Sequence, residues 1–292
     1  MLFKTKKPTF EHLKKKWTAR HKSLQQNLFD KHTELSRQVA LSGLSGLLLL
    51  TTPATLLLPQ ANLFTQNQIE KEKDTNAALA EKLKASVPED VRSLTPEEEQ
   101  KISDLLSAQF GMEVRASIDG KRLNRTYGLI GGEQHLYRFP GDTLYKHTDN
   151  ASEWAMYGPA GIAPGLGAWG YFAPSEVALR EKDKQREDYY LAVQTFLSPG
   201  FAENVKEYRD FFKYRKMLVV NPKTGQSVVA DIADAGPAQW TGKHLGGSPE
   251  VMHFLGLAQG PRKGAVLYFF IDDLNDTIPL GPLRISERLA KK

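Results

Sequence analysis

The residue best placed for acid–base chemistry is Asp234, at the end of the strand-like segment SVVADIAD and before the turn AGP. Alternation along an extended strand places Val228, Ala230 and Ile232 on the same face as Asp234. If that apolar face points into a core, the carboxylate emerges beside apolar groups, which raises its pKa as a general acid requires. The alternative is an aspartate that starts the turn at 235–237, a common role for this residue. Taken alone, the residues favour the turn role.

Aromatic and histidine side chains around Asp234 in the sequence supply candidates for a substrate groove. Flat aromatic faces suit the C–H surfaces of pyranose rings, although core packing is the commoner fate of any single aromatic residue. A lone histidine in a short helix is more often a packing or surface residue than a catalytic base. The groove residues that we expect are Tyr189, Tyr190, Trp169, Trp240 and His253.

Several other kinds of chemistry are disfavoured by composition and spacing. The chain has no cysteine, which excludes a thiolate nucleophile and a zinc–thiolate site. The histidines His135, His147, His244 and His253 show no close metal-ligand spacing. No G-x-S-x-G nucleophile elbow is present, and the glycine-rich segment at 158–170 lacks the Gly-Lys-Ser/Thr of a phosphate loop. We therefore expect no metal and no cofactor.

The charge distribution separates a basic N-terminal arm from an almost neutral remainder. The chain has 39 Lys and Arg and 34 Asp and Glu residues, a net charge of +5. Residues 1–38 hold ten basic and three acidic residues, so the rest of the chain sums to −2. A nucleic-acid-binding protein carries its positive charge on the folded body, whereas a basic arm suits anionic lipid. The arm forms either an interfacial amphipathic helix or a solvated tail, and we expect no nucleic-acid partner.

Residues 39–58 are twenty consecutive residues without a charge. At ~1.5 Å per residue, a helix of this length spans the hydrocarbon core of a bilayer. The positive-inside rule then places residues 1–38 in the cytoplasm and the rest of the chain outside the membrane. A cleaved signal peptide is the alternative, but the preceding segment is long and no A-x-A site follows. We expect a single-pass cell-membrane anchor with a cytoplasmic N-terminus.

Residues 59–112 are expected to form a helical stalk or linker. They are polar and rich in Glu, Lys, Ala and Asn, which favours helix or partial disorder. A stronger helix signal begins at Thr95, which can act as N-cap, with Pro96 at the first helical position. Gly111 is placed to end this helix.

Residues from 113 onward alternate in the manner of short strands. Asp119–Gly120 is a hairpin turn signal, and residues 221–225 join the two runs of the clearest hairpin, KMLVV and SVVADIAD. Short helices are expected within 203–216 and after an N-cap at Ser248. The expected domains are an arm at 1–38, a membrane helix at 39–58, a stalk at 59–112, a β-rich lead-in at 113–164, a barrel at 165–275 and a tail at 276–292.

The order of elements from Met217 to Asp272 resembles the six-stranded double-psi β-barrel of rare lipoprotein A-like proteins and their expansin relatives. In that family a V-x-N-x-x-x-G-x-S-V-V-V hairpin leads to an acid followed by x-G-P, and VVNPKTGQSVVADIADAGP matches this run. GAWGYFAP at 167–174 is similar to the family's glycine–aromatic first strand. The implied fold is mainly β: a six-stranded double-psi β-barrel with short helical insertions, preceded by the transmembrane helix and the helical stalk.

The resemblance implies work on peptidoglycan or another polysaccharide outside the membrane. Rare lipoprotein A-like enzymes are lytic transglycosylases, in which one acid/base group can protonate the glycosidic oxygen and then accept a proton from the sugar's own hydroxyl. Asp234 corresponds to the acid of the family's D-x-G-P motif. The sequence departs from the family in three places. Residues 246–248 are Gly-Gly-Ser where D-L-S is frequent, and the insertion that contains Val205–Lys216 is unusual. The family's histidine before the central hairpin has no clear match, because DYYLAVQTF carries tyrosines and Gln194 there.

We therefore expect a membrane-anchored cell-wall protein that cleaves glycan strands of peptidoglycan with Asp234 as its general acid and base. The alternative is a non-catalytic glycan-binding or envelope-scaffold module with an expansin-like barrel. A component of a secretion or adhesion assembly is a third class compatible with an anchored outer domain.

Overall fold

The computed structural model of the chain describes residues 61–283, with side chains from residue 72 onward. Within residues 61–283, no helix combines the length and the apolar composition needed to cross a membrane. The expected basic arm, the expected membrane helix at 39–58 and the last nine residues lie outside the described part.

The described part contains six α-helices and ten β-strands, with short 3₁₀ turns between them. The helices are α1 Ala61–Lys84, α2 Pro96–Phe110, α3 Ala151–Tyr157, α4 Glu181–Asp188, α5 Val205–Phe212 and α6 Pro249–Phe254. The strands are β1 Val114–Arg115, β2 Ser117–Ile118, β3 Lys121–Arg122, β4 Tyr127–Gly132, β5 Tyr190–Val193, β6 Lys216–Val220, β7 Ser227–Ala235, β8 Leu245–Gly247, β9 Lys263–Ile271 and β10 Gly281–Pro282.

Six strands close into a mixed β-barrel in the order β4–β8–β5–β7–β6–β9, with β9 pairing back to β4. The β4–β8 and β5–β7 pairs are parallel, and the other four pairs are antiparallel. The short strands β1 and β10 add to β9 and β7. Closure removes the free edges that an open sheet would present. A mainly β fold with a closed six-stranded barrel and a few helices is thus confirmed.

Alternation along the strands divides the apolar residues between two layers. One layer, which includes Val228, Ala230 and Ile232 of β7, packs with the other strands, α5 and α6. The opposite layer packs against α1 and α2. Because β7 is buried on both faces, its sequence alternates little in hydrophobicity, and only its end emerges from the core.

Helices α1 and α2 cover one side of the barrel. Leu79 and Leu83 of α1 are fully buried and belong to one apolar cluster with Ile102 and Leu106 of α2. The turn of the β6–β7 hairpin also lies against α1, since a Cβ on Gly225 would fall 2.0 Å from the Asn76 carbonyl oxygen. The C-terminal half of the expected stalk helix is therefore part of the domain's core.

Several local predictions are confirmed. Thr95 and Glu98 form a complete capping box at the start of α2, and Gly111 ends that helix with a left-handed φ of 61°. The Ser248 side chain accepts a hydrogen bond from the Val251 N–H and so caps α6.

The expected position of the first barrel strand is wrong. Residues 167–174 form turns and bends, and the barrel begins instead with β4 at Tyr127, in the segment expected to precede it. The sequence YGLIGG is buried and pairs with β8 on one side and with β9 on the other. Its three glycines made this central role hard to recognise from the sequence. Gly128 and Gly131 are needed because a Cβ at either position would fall within 3.0 Å of the side chain of His244 or Lys243.

Docking of α1 can be tested with Leu83→Ala. The substitution leaves a cavity between α1 and the barrel, and we expect it to lower the free energy of unfolding by about 2–5 kcal/mol in urea denaturation. The exposed neighbour gives the control, Lys84→Ala, which should change this free energy by less than about 0.5 kcal/mol. Equal stability of the two variants would show that α1 does not pack on the barrel.

Candidate functional site

The Asp234 carboxylate lies half-buried at the end of β7 and is fixed through one oxygen. Its Oδ1 accepts hydrogen bonds from the backbone N–H of Ala168 and of Ala235, each at 2.8 Å. Its Oδ2 has no hydrogen-bond partner among residues 72–283. This oxygen is not buried, so it keeps contact with solvent. The group is therefore oriented by one oxygen and open at the other.

A β-bulge gives Asp234 its orientation. Leu191 of β5 pairs with Ile232, but the next residue, Ala192, pairs with Asp234, so the strand shifts register at Ala233. Simple alternation predicted that Asp234 would share the barrel-facing side of Ile232. The bulge ends that alternation, and Asp234 lies beside Gly167 and Ala168 instead.

The loop at 167–169 is held against Asp234 by a glycine and by α5. A Cβ on Gly167 would fall 2.9 Å from the Ala233 carbonyl oxygen, so only glycine permits this approach. The Arg209 guanidinium donates to the Ala168 carbonyl at 2.8 Å, and the Trp169 indole N–H donates to the Arg209 carbonyl at 3.3 Å. Trp169 is thereby placed directly after the amide that binds Asp234.

The environment of Asp234 favours its protonated form. Burial raises its pKa, the two backbone hydrogen bonds act in the opposite direction, and the negative charge of Glu133 raises it further. The net direction is upward. A carboxyl group with a raised pKa and one accessible oxygen is the arrangement that a general acid needs.

Glu133 follows β4 and lies across β8. Its N–H donates to the Gly247 carbonyl at 2.9 Å, and its carboxylate is 2.8 Å from the Lys243 ammonium. A Cβ on Gly246 would fall 2.3 Å from the Glu133 side chain, so the glycine at this position makes room for a second carboxylate.

Gln194 holds the loop that carries Trp240. Its Nε2 donates to the carbonyls of Pro237 and Lys243, at 2.9 and 3.2 Å, and so ties together the two ends of this loop. The Trp240 side chain between them is 88% exposed, which leaves its face free for a ligand.

The other expected groove residues lie elsewhere. Tyr190 is 2% exposed, and its hydroxyl donates to the Gln134 carbonyl. It is therefore a buried packing residue and cannot stack on a sugar. Tyr189 and His253 both contact Phe254, with ring centroids 6.2 and 5.3 Å away, in an aromatic group around α6. The structure thus places Trp169 in the loop that binds Asp234, whereas Tyr189 and His253 belong to the aromatic group around α6.

A second set of functional groups surrounds the fully buried carboxylate of Glu187, at the end of α4. Its Oε1 accepts hydrogen bonds from the Leu136 N–H at 2.9 Å and from His135 Nδ1 at 3.2 Å. Its Oε2 accepts from the Arg138 Nε–H and from His147 Nδ1, both at 2.9 Å. Four donors thus satisfy one carboxylate, and we call this group the Glu187 cluster.

Further carboxylates lie around the Glu187 cluster. Asp142 is 2.9 Å from His147 Nε2 and accepts the Arg138 N–H at 2.8 Å, while Asp188 is 2.5 Å from the Arg138 guanidinium. Burial alone would lower the pKa of His147, but its hydrogen bonds to Asp142 and Glu187 raise it to about 9. Burial would raise the pKa of Glu187, but its two histidine bonds and the charge of Arg138 hold it well below the usual range.

The Glu187 cluster also contains atoms that can bind a metal. One ligand atom from each of His135, His147 and Glu187 lies within 4.8 Å of the other two. The sequence did not reveal this grouping, because Glu187 is 52 and 40 residues from the two histidines. One signal was present: EKDKQRED forms α4 without an apolar residue, so this helix contacts β7 and α6 through charged and polar side chains.

The Glu187 cluster and the Asp234 site are joined by the segment 133–136. This segment carries Glu133 at one end and two of the four groups that bond Glu187 at the other. The His135 backbone also pairs with the chain at 161–163, ahead of the loop that binds Asp234. The packing of Glu187 therefore positions both sides of the Asp234 site.

Comparison with known proteins adds no assignment. A scan of the sequence against models of known protein families gives no match, and a search of curated proteins gives no significant match.

Removal of the charge at Glu187 tests its structural role. In Glu187→Gln, an amide NH₂ group replaces one carboxylate oxygen and faces hydrogen-bond donors to which it cannot bond. We therefore expect the free energy of unfolding to fall by about 3–5 kcal/mol. Denaturation is measured in buffer with EDTA, so that bound metal ions do not contribute to the difference in the free energy of unfolding. The surface carboxylate of Glu176, which pairs with Lys146, gives the control Glu176→Gln, expected to change stability by less than about 1 kcal/mol. A similarly small change in Glu187→Gln would contradict this role.

Proposed function

We propose that the barrel domain cleaves the glycan strands of peptidoglycan as a lytic transglycosylase, with Asp234 as general acid and base. The observation that carries this proposal is the state of the Asp234 carboxylate: one oxygen is fixed by two amides, the other reaches solvent, and burial raises the pKa. In a lytic transglycosylase this one group would protonate the leaving glycosidic oxygen and then accept the proton of the sugar hydroxyl.

The surroundings of Asp234 support a role in glycan chemistry. Glu133 supplies a second negative charge that raises the pKa of Asp234, and its ion pair with Lys243 holds it in place. The exposed Trp240 and the half-buried Trp169 offer aromatic faces on two loops of this region. The two parallel strand pairs of the barrel are compatible with a double-psi connection, as in the resemblance from which Asp234 was selected.

The proposed location is the outer face of the cell membrane, with residues 39–58 as the anchor. This part of the proposal rests on the sequence: an uncharged run of twenty residues follows a basic arm. Peptidoglycan would then be within reach of the barrel domain.

A non-catalytic glycan-binding module is the second candidate, and one observation favours it. The two backbone amides that hold Asp234 lower its pKa and so oppose acid catalysis, as they would in an aspartate that only orders its turn. The family's histidine has no clear match here, and Gln194, in the corresponding segment, binds the two ends of a loop. In such a module the Trp240 loop would contact the glycan and no bond would be cleaved.

Muropeptide analysis separates these two functions. We expect the full-length protein to release anhydro-sugar products from purified peptidoglycan and Asp234→Asn to reduce the rate by on the order of a hundredfold or more. Asp104→Asn, which alters an exposed aspartate on α2, should keep full activity. If the wild type releases no anhydro product but is retained on the wall, the enzymatic proposal fails and the binding module stands.

The pH dependence of cleavage tests the role of Glu133. Because its charge raises the pKa of Asp234, Glu133→Gln should lower that pKa and move the alkaline limb of the pH–rate profile to lower pH. Lys243→Gln, which leaves Glu133 without its counter-charge, should move the same limb in the opposite direction. A shift to higher pH in Glu133→Gln would contradict Asp234 as the general acid.

A further inference from the structure

We propose that His135, His147 and Glu187 form a structural binding site for a divalent transition-metal ion, with Zn²⁺ as the best-suited ion. Two imidazole nitrogens and a carboxylate are a common protein ligand set for zinc, whereas Mg²⁺ and Ca²⁺ prefer oxygen ligands alone. The inference concerns the Glu187 cluster only and does not depend on the proposed function.

The geometry places both imidazoles against one carboxylate. His135 Nδ1 lies 3.2 Å from Oε1 of Glu187, and His147 Nδ1 lies 2.9 Å from Oε2. Ligand atoms around a tetrahedral zinc ion are ~3.3–3.5 Å apart, given metal–ligand bonds of about 2.0–2.2 Å. Both nitrogen–oxygen separations are close to this spacing, and all three ligand atoms lie within 4.8 Å of one another, so rearrangement of these side chains around a common centre would let them bind one ion.

Outer-shell groups that would orient two of these ligands, His147 and Glu187, are already present. Asp142 is 2.9 Å from Nε2 of His147, which leaves Nδ1 of that ring for the metal. The Leu136 N–H and the Arg138 Nε–H bond the two oxygens of Glu187. Carboxylate partners of ligating histidines and hydrogen-bonded ligating carboxylates are usual in metal sites, because they fix the tautomer and the orientation.

Carboxylates surround the proposed ligands. Asp142 and Glu187 are buried and Asp188 is half-buried, and among residues 72–283 they pair with Arg138, His135 and His147. A divalent ion bound in place of protons on the two histidines would add positive charge between these carboxylates.

Burial makes the site structural. The side chains of His135, His147 and Glu187 are all 0% exposed, so no open coordination position faces a substrate. The ion would join α4 to the segments around His135 and His147, and its binding free energy would stabilise the folded domain.

Metal binding by the full-length protein tests the site. We expect the chelator-stripped protein to take up one Zn²⁺ per chain in calorimetry, with a rise in its melting temperature, and Co²⁺ to give the visible absorption of a low-coordinate nitrogen–oxygen site. Mg²⁺ should do neither.

His135→Gln is the decisive variant, because its amide can still donate to Glu187 while one ligand is lost. It should bind Zn²⁺ about 100-fold more weakly, with no rise in melting temperature, and melt close to the metal-free wild type in EDTA. The control His253→Gln alters a half-buried histidine outside the cluster and should bind Zn²⁺ as the wild type does. Absence of stoichiometric Zn²⁺ binding in the wild type, or equal affinity in His135→Gln, would overturn the proposal.

Discussion

The buried carboxylate of Glu187 is the constraint on which the rest of the site depends. A charged group without access to water is tolerated only when donors surround it, and Glu187 has four. Three of these donors, His135, Leu136 and Arg138, come from one short stretch after β4. The fourth, His147, comes from the 3₁₀ helix that follows. Glu187 thus binds four points of the irregular segment between β4 and α3.

This arrangement explains how an irregular surface can support an oriented group. The stretch that contributes three donors begins beside Glu133, and the His135 backbone pairs with the chain at 161–163 that leads to Ala168. Ala168 and the bulge at Ala233 then fix one oxygen of Asp234. Loops usually carry function on a rigid scaffold. Here the scaffold includes a buried ionic cluster in addition to the barrel.

Much of the fold was predictable from local signals. The hairpin of β6 and β7, the capping box at Thr95 and the short helix after Ser248 follow from turn and cap chemistry that neighbouring residues determine. Residues 113–130 were expected to form a hairpin, but the place of β4 in the barrel was not predicted, because its glycines carry no strand propensity. The close approach of His244 and Lys243, which precede β8, accounts for Gly128 and Gly131.

The candidate site was predictable only in part. Asp234 was selected by its motif, but its bulge, its bond to Ala168 and its neighbour Glu133 depend on contacts between distant segments. The same holds for the Glu187 cluster, whose histidines lie far from it in sequence. For Tyr190 the sequence suggested a site residue that the structure does not show: this tyrosine was expected to line the groove, but it is a core residue.

Burial and the charge of Glu133 raise the pKa of Asp234, and the packing of Glu187 positions the segment that carries Glu133. Titration of the Asp234 carboxyl carbon by ¹³C NMR, in EDTA and under conditions where both proteins are folded, compares wild type with Glu187→Gln. We predict a pKa above the ordinary value of aspartate in the wild type and a return toward that value in the variant, as the segments that enclose Asp234 and carry Glu133 loosen. An ordinary pKa in the wild type, or an unchanged raised pKa in Glu187→Gln, would contradict the claim.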